Sequence, residues 1–373
     1  MQQITAETFI ARTARPLELA VIVPVLNEHD NIVPLLDRLS LVLADYEWEA
    51  IFVDDGSIDG TPALIEDMCR TDRRVRLIRR FGRRGLSSAV VEGFLSSAAP
   101  VLAVIDGDMQ HDEAILPRLV REISEGRAEL AVGTRYDGEG GTGDWSADRV
   151  RISRWATRIA APVMRTRLSD PMSGFFAIRR STLIEAVPHL SSVGYKILLD
   201  IVASHRRTLK LTEIPYIFRA RVAGASKLDS IVALQYFELL LDKAIGRYVP
   251  VKFLLFAAVG ALGAIVHVAM LALLHDRISF TDAQIVAVLT AMTFNYAINN
   301  RFTYRDRRRT GWRWLSGYGA FALACSAGAV ANVGIGSAIY GATQHNWWLG
   351  GIAGIAVGSV WNYVATRWLI WKK

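Results

Sequence analysis

Apolar and polar positions follow two regimes along the chain. In the first, short apolar runs that end on acids, Asn or Gly alternate with segments of helical spacing. LELAVIVPVLNE (17–28) predicts a strand that stops at Asn27-Glu28. NIVPLLDRLSLVLADY (31–46) carries apolar residues three and four apart, as a helix does. WEAIFVDDGSIDGT (48–61) predicts a second strand closed by a Gly/Ser turn, and PALIEDMCR (62–70) a helix opened by proline. RVRLIRR (74–80), VLAVID (101–106) and ELAVGTR (129–135) predict further strands, with a helix in RRGLSSAVVEGFLSSA (83–98). Strands that alternate with helices predict a mostly parallel sheet covered on both faces. Ligands of such sheets sit off the carboxyl ends of the strands.

The second regime begins after Pro250. FLLFAAVGALGAIVHVAMLALL (253–274) contains no Asp, Glu, Lys or Arg, and neither does the whole stretch 314–366. A hydrocarbon core of ~30 Å needs about 20 apolar residues per helix. Four spans are predicted, near 252–274, 281–301, 314–340 and 347–369; a soluble bundle would need a polar face on each helix. The basic segment RFTYRDRRRTGWR (301–313) and the terminal WKK place that loop and the C-terminus in the cytoplasm. Four spans return the chain to its starting side, so the first regime is expected to be cytoplasmic too. Trp312, Trp314, Trp347, Trp348, Trp368 and Trp371 fall at span ends, as interfacial aromatics do. FNYAINNRF (294–302) is echoed by WNYVATRW (361–368), and GAIVH (263–267) by GAVAN (328–332), which predicts two related helical hairpins.

The fold class expected is therefore α/β, Rossmann-like with a mostly parallel sheet, joined to an all-α four-helix transmembrane domain. The divisions are a tail (1–16), the α/β domain (17–229), interfacial amphipathic helices (230–250) and the membrane domain (251–373). SRWATRIAAPVMRTR (153–167) places Arg and Trp beside an apolar stripe, SIVALQYFELLLDKAIGRYV (230–249) has a similar pattern, and both read as helices lying on a membrane surface. The net charge of +7 together with a positive mean hydropathy favours a membrane over nucleic acid as the partner. Cys69 and Cys325, the two cysteines, lie far apart in unlike surroundings, so neither a disulfide nor a zinc site is expected. The opening MQQITAETFIARTARP lacks the apolar core of a signal peptide.

The chemistry concentrates at strand ends. Glu28, Asp55 and Asp106 each follow a predicted strand, which suggests one shared pocket. Asp106, Asp108 and Gln110 alternate, and alternate residues of an extended chain face one way. Like charges so close need a cation or a donor between them. No phosphate-binding glycine fingerprint is present, so phosphate binding falls to a cation held by the acids and to basic side chains. Mg²⁺ or Mn²⁺ with a nucleotide diphosphate fits, the substrate oxygens completing the shell. Asp106 and Asp108 as simple caps of the helix near Asp112 is the plainer alternative.

These motifs resemble a known family. Pro24…Asn27-Glu28, VDDGSIDGT, DGDMQHDE, DPMSGFFAIRR (170–180) and FRARVAGASKL (218–228) are similar, in order, to family 2 glycosyltransferases of the GT-A fold. More narrowly they resemble the dolichol-phosphate mannosyltransferase and polyprenyl-phosphate glycosyltransferase group, and the C-terminal part resembles GtrA-like membrane domains. The resemblance implies that Pro24, Leu26, Glu28, Val53 and Asp55 hold the nucleoside, and that Asp106 and Gly107 line the donor. It implies Asp108 and Gln110 as metal ligands, Lys196, Arg221 and Lys227 on the donor diphosphate, and Arg135, Arg149 and Ser153 on the lipid phosphate. Asp106, Asp108 and Arg135 would be the catalytic set.

The implied activity is inverting transfer of one hexose from a nucleotide sugar to a polyprenyl (dolichyl-type) phosphate. GDP-mannose is the donor expected from the overall likeness and DPMSGFF. VDDGSIDG lacks the Ser-Pro-Asp form common in mannose synthases, which keeps UDP-hexose open. A phosphate monoester, with a second pKa near ~6, is already largely dianionic at neutral pH and needs alignment rather than a base. KILLD (196–200) accordingly stands where relatives that glycosylate hydroxyls carry a Glu-Asp motif, and Asp200 is expected to pack or cap a helix. His111 is expected beside the site rather than on the metal, and Arg79, Arg80, Arg83 and Arg84 as an anion-facing surface patch. A processive synthase would carry Gln-x-x-Arg-Trp, of which RISRW (151–155) is a poor match; lipid flipping by the membrane domain is at most an added role. Lipid length and oligomeric state are not legible.

Overall fold

In the computed structural model of the chain, residues 16–82, 85–143, 145–191, 194–219, 230–246, 248–274, 276–304, 307–342 and 347–371 are described. They fall into two units, Met1–Ala244 and Ile245–Lys373, treated separately below.

Strand β1 (Leu19–Val25) lies at the centre of one side of a seven-stranded sheet. β2 (Trp48–Asp54) and β4 (Val101–Val104) flank it in parallel, and β3 (Val75–Arg79) adds to β2. The full order is β3-β2-β1-β4-β6-β5-β7, with β5 at Leu130–Thr134, β6 at Phe176–Arg179 and β7 at Leu211–Pro215. β6 runs antiparallel to both neighbours; every other pairing is parallel. The mostly parallel sheet predicted from the strand–helix alternation is thus what forms, while the reversed β6 had no sequence signal.

The period of two along β1 explains its run of apolar residues. Leu19, Val21, Val23 and Val25 enter one core layer, and Ala20 and Ile22 the other. The first layer is covered by α1 (His29–Val42), α2 (Thr61–Thr71) and α4 (Leu116–Ser124), through Ile32, Leu35, Ile65 and Leu119 among others. The second is covered by α3 (Leu86–Leu95), α6 (Arg180–Ala186) and α7 (Ile197–Ser204). With both faces closed, the open edge of the layers is where β1, β2 and β4 end together.

Two helices correct the interfacial reading in detail. The helix expected over 153–167 is α5, Ala147–Ala160, ended by the 3-10 turn Ala161–Val163 around Pro162. α8 spans Ser230–Ile245. Each has a side in the core: Ala160 of α5, and Leu239 and Leu240 of α8, with the Tyr236 hydroxyl donating to the Ala156 carbonyl at 2.6 Å. Each also leaves large apolar side chains exposed, Ile152 and Trp155 on α5 and Phe237 and Leu241 on α8.

The second unit consists of α9 (Val251–Leu274), α10 (Phe280–Ile298), α11 (Trp312–Ala342) and α12 (Trp347–Leu369). α10 runs on into a π-turn at Asn299–Thr303. These helices fall on the four predicted spans. Among the described residues α9 is the one helix whose length and composition suffice by themselves to cross a bilayer.

The weak sequence repeat has a structural counterpart. Asn295 of α10 packs its amide on Gly263 of α9, and Asn362 of α12 packs its amide on Gly328 of α11. The register that sets Asn295 on Asn362 also sets Asn299 on Thr366, and each of those side chains donates to the carbonyl of its Asn. It sets Tyr304 on Trp371, whose rings stack with centroids 4.0 Å apart and planes 7° apart. Arg307 and Arg309 donate to the carbonyls of Trp371 and Ile370. They satisfy acceptors that the end of a helix leaves open.

Candidate active site

β4 stops at Val104, and residues 105–110 form a turn rather than the extended strand on which the alternation of Asp106, Asp108 and Gln110 was argued. Met109 takes φ +62, a left-handed conformation that a residue with a Cβ adopts only at a cost. The segment is pinned on both sides. Asp108 Oδ1 accepts from the Gln110 backbone N–H at 3.3 Å. Gln110 Nε2 donates to the Arg219 carbonyl at 3.1 Å, and the Arg219 N–H donates back to the Gln110 carbonyl at 2.8 Å. Arg219 in turn holds Asp112 and Glu113, each at 2.6 Å. With its nitrogen so engaged, the Gln110 amide keeps its oxygen as the group able to ligate a cation.

Asp106 is fixed through His111, which is 2% exposed among Phe175, Tyr216 and Phe218. His111 Nδ1 lies 2.7 Å from the Tyr216 hydroxyl and Nε2 lies 3.1 Å from Asp106 Oδ2. Burial pushes the Tyr216 phenol far above its ordinary range, so it keeps its proton. A carboxylate can only accept, so Nε2 carries the hydrogen toward Asp106 and Nδ1 is left to accept from the phenol. Asp106 Oδ1 is buried and has no protein partner among the described residues. An orphaned carboxylate oxygen of this kind calls for a ligand group or an ion.

At the end of β5, Arg135 is 7% exposed and forms a forked pair with the fully buried Asp170, Nε–Oδ2 2.6 Å and Nη2–Oδ1 2.8 Å. Burial opposes its charge, and the hydrogen bonds to Asp170 outweigh that and raise its pKa. Its Cζ stands 4.7 Å from the Trp145 ring centroid, and the Cζ of Arg149 stands 4.0 Å from the same centroid. Arg149 lies in the first turn of α5, whose amide donates to the capping Ser146 Oγ at 3.3 Å; Ser153 follows one turn later on the same face.

Lys196 precedes α7 and donates to the Met172 carbonyl at 3.4 Å. Burial and then the charge of Arg135 lower its pKa; Arg149 acts in the same direction, and Asp170 and Asp106 oppose. One lysine thus senses both the carboxylate at the end of β4 and the two arginines. The structure brings Asp106, Arg135, Arg149 and Lys196 into a single neighbourhood.

The residues that the sequence likeness assigns to the nucleoside stand on and after β1 and β2. Pro24 and Val53 are register partners and buried. Asn27, at φ +55, laces the two loops together: its N–H donates to Ser57 Oγ at 2.8 Å, and its Oδ1 accepts from the Ile58 N–H at 2.9 Å. Leu26 beside it is partly buried. Glu28 accepts from Asn31 Nδ2 at 2.7 Å and its N–H donates to Thr61 Oγ1 at 3.1 Å. Asp55 accepts from Arg80 Nη1 with one oxygen and from the Gly85 N–H, at 2.7 Å, with the other.

Arg80 overturns the surface-patch expectation: it is 4% exposed and also bonds Glu92 and Ser88. Asp55 needs that counter-charge to be buried. Arg79 does lie outside, against Glu66 and Phe81. Asp200 is fully buried against Lys243 Nζ at 2.6 Å and the Ser191 N–H at 3.1 Å. Asp112, not Asp106 or Asp108, caps the short turn that follows. Arg83, Arg84, Arg221 and Lys227 lie outside the described residues.

No group of three or more His, Cys, Asp or Glu side chains forms a metal cage among the described residues. Asp108 and Gln110, the pair that the sequence likeness puts on the metal, carry carboxylate and amide oxygens, the hard donors that suit Mg²⁺ or Mn²⁺. Asp170, Tyr216 and Trp145 carried no sequence assignment, and Arg80 carried a different one. Asp170 lay inside the quoted DPMSGFF, and Tyr216 and Trp145 offered no signal without the strand order.

The Glycosyl transferase family 2 model matches residues 20–186, and the GtrA/DPMS, transmembrane domain model matches residues 255–371. The chain is 31% identical over 364 residues to the dolichol-phosphate mannosyltransferase of Pyrococcus furiosus, covering 95% of this chain and 99% of that one. It is 37% identical over 246 residues to the dolichol-phosphate mannosyltransferase of Mycosarcoma maydis, covering 63% and 83%. Among solved structures it is similar to glucosyl-3-phosphoglycerate synthase from Mycobacterium tuberculosis in complex with Mn²⁺ and UDP, at 19% identity over 61% of this chain and 80% of that one, TM-score 0.45.

Proposed function

Because the chain belongs to the dolichol-phosphate mannosyltransferases, a family 2 glycosyltransferase domain joined to a GtrA/DPMS transmembrane domain, we propose that it moves one mannose from GDP-mannose to a polyprenyl (dolichyl-type) phosphate. The observation that carries this reading is the meeting of Asp106, Lys196, Arg135 and Arg149 in one neighbourhood. It sets the acids of a sugar-nucleotide site beside cations able to align a phosphate acceptor.

Pro24, Leu26, Glu28 and Val53 line the nucleoside, with Asp55 acting through the Arg80 pair that fixes the loop around it. Asp108 and Gln110 hold the cation, Mg²⁺ or Mn²⁺, which when bound neutralises charge on the leaving diphosphate. Lys196 adds positive charge toward the diphosphate, a preorganised electrostatic contribution, and Arg221 and Lys227, outside the described residues, are the further cations the family likeness assigns to it. Asp106 and Gly107 face the sugar. Arg135, Arg149 and Ser153 align the lipid phosphate, whose oxygen attacks the anomeric carbon and inverts it without a general base. The α/β domain and both termini lie on the cytoplasmic side of four spans, as the basic 301–313 segment favours. The exposed apolar side chains of α5 and α8 meet the headgroup region.

The test is to incubate membranes containing the protein and polyprenyl phosphate with labelled GDP-mannose or UDP-hexoses, with Mn²⁺ or with a chelator. Chloroform-soluble label from GDP-mannose that the chelator abolishes is the expected result. Label from a UDP-hexose alone, or a long polymer, overturns the reading.

A further inference from the structure

Two buried hydrogen-bond donors in the site have no partner among the described residues: the indole Nε1–H of Trp145 and the hydroxyl of Tyr136. Native interiors rarely leave such groups unsatisfied, and those that remain point to a ligand group. Their surroundings specify the charge of that group. Arg135 and Arg149 share the Trp145 ring at 4.7 and 4.0 Å, and Tyr136 lies 5.7 Å from the Arg135 Cζ and 6.0 Å from that of Arg154. Lys196 feels both of the first two arginines. Asp170 forks Arg135, and the cluster as a whole is rich in N–H donors. What fits is an anion with several acceptor oxygens.

We propose that Trp145 is a binding and positioning residue for the acceptor phosphate. Its ring face holds Arg135 and Arg149 at a set spacing, and its Nε1–H, together with the Tyr136 O–H, donates to phosphate oxygens. The proposal rests on the function given above. Two guanidiniums brought together for one dianion repel each other while the site is empty. An indole that both contact offers each a cation–π attraction and keeps them apart. A neutral N–H or O–H then adds a hydrogen bond to the phosphate without adding to that repulsion.

The full-length protein in detergent or vesicles, with GDP-mannose and polyprenyl phosphate, tests this through separate KM values for the two substrates. Trp145→Phe keeps a ring for the arginines and removes the N–H. It is expected to raise the acceptor KM about tenfold or more, with the donor KM and the unfolding temperature unchanged. Trp145→Leu removes the ring as well and is expected to raise the acceptor KM further and lower kcat. A wild-type acceptor KM in Trp145→Phe overturns the proposal, as does an equal rise in both KM values. Should the ring variants fail to accumulate, Tyr136→Phe removes one oxygen only. It is expected to raise the acceptor KM at least threefold, and no rise overturns the proposal. A wild-type protein that transfers nothing to polyprenyl phosphate refutes the underlying function instead, so the two failures are told apart.

Discussion

A methyl group placed on Gly174 would come within 2.7 Å of Asp106 Oδ2, the same oxygen that accepts from His111 Nε2. The carboxylate is therefore held between a hydrogen-bond donor on one side and a backbone without a side chain on the other. Its second oxygen is buried with no hydrogen-bond partner among the described residues. In Gly174→Ala the displaced atom is the tip of Asp106, so the cost falls on orientation more than on the fold. Steady-state transfer is expected to fall at least ~10-fold, with a stability loss no larger than the ~1–3 kcal/mol of an overpacked site. An unchanged rate would show that the Asp106 rotamer does not matter.

Arg135 and Asp170 form a deeply buried ion pair, with side chains 6% and 0% exposed, matched among the described pairs by Lys243 and Asp200. Asp170→Asn removes the charge and leaves a buried guanidinium uncompensated, a change that costs about 3–5 kcal/mol. Thermal unfolding should show a clear drop. The double variant Arg135→Met, Asp170→Leu should recover much of that loss while remaining inactive. Equal stability of wild type and Asp170→Asn would refute this account of the pair.

Asp170 also shows where sequence reasoning reached its limit. It stood inside a quoted motif, yet its partner is Arg135 on another strand end, because the antiparallel β6 inserts between β4 and β5. β1 to β5 were legible from period and punctuation, and so were the acids that follow β1, β2 and β4, whereas β6 and β7 were not. Which atoms each acid meets was not. Asp55 pairs with Arg80, and Asp106 is linked through His111 to Tyr216, only once the sheet order sets those ends side by side. Spacing along the chain encodes which face a residue occupies, whereas these contacts depend on crossovers that local pattern does not specify.

Glu129 gives a pH-dependent contribution of known sign. Its forked bonds to Arg207, 2.8 Å each, and the Lys210 N–H lower its pKa from an ordinary 4.5 to about 2. A depressed folded pKa stabilises above the unfolded value and loses that stabilisation as pH falls from about 4.5 toward about 2. Arg207 is half exposed, so screening limits the pair to about 1 kcal/mol or less. Glu129→Gln should be less stable than wild type in denaturant titrations at pH 7, and the difference should shrink below pH 4.5. A difference that grows on acidification would contradict the assignment.

The two helical hairpins of the second unit predict a parity that ordinary helix packing does not. Gly263 and Gly328 each receive an asparagine amide from the next helix, and both amide oxygens are buried with no hydrogen-bond partner among the described residues. Small residues let helices in a bilayer approach closely, where no hydrophobic force drives them together. Gly263→Val and Gly328→Val should each push one hairpin apart, at a cost of ~1–3 kcal/mol. Because the clamps sit in different hairpins and share no partner, the costs should add within ~0.5 kcal/mol in the double variant. Trp371→Ala, by contrast, removes a stack between equivalent ends of the two repeats. It should therefore weaken the join between hairpins and leave each clamp intact. Unfolding of the reconstituted protein in mixed detergent, followed for each variant, checks all three expectations. A Gly263 variant that unfolds early beside a silent Gly328 variant would mean that only one hairpin depends on its clamp.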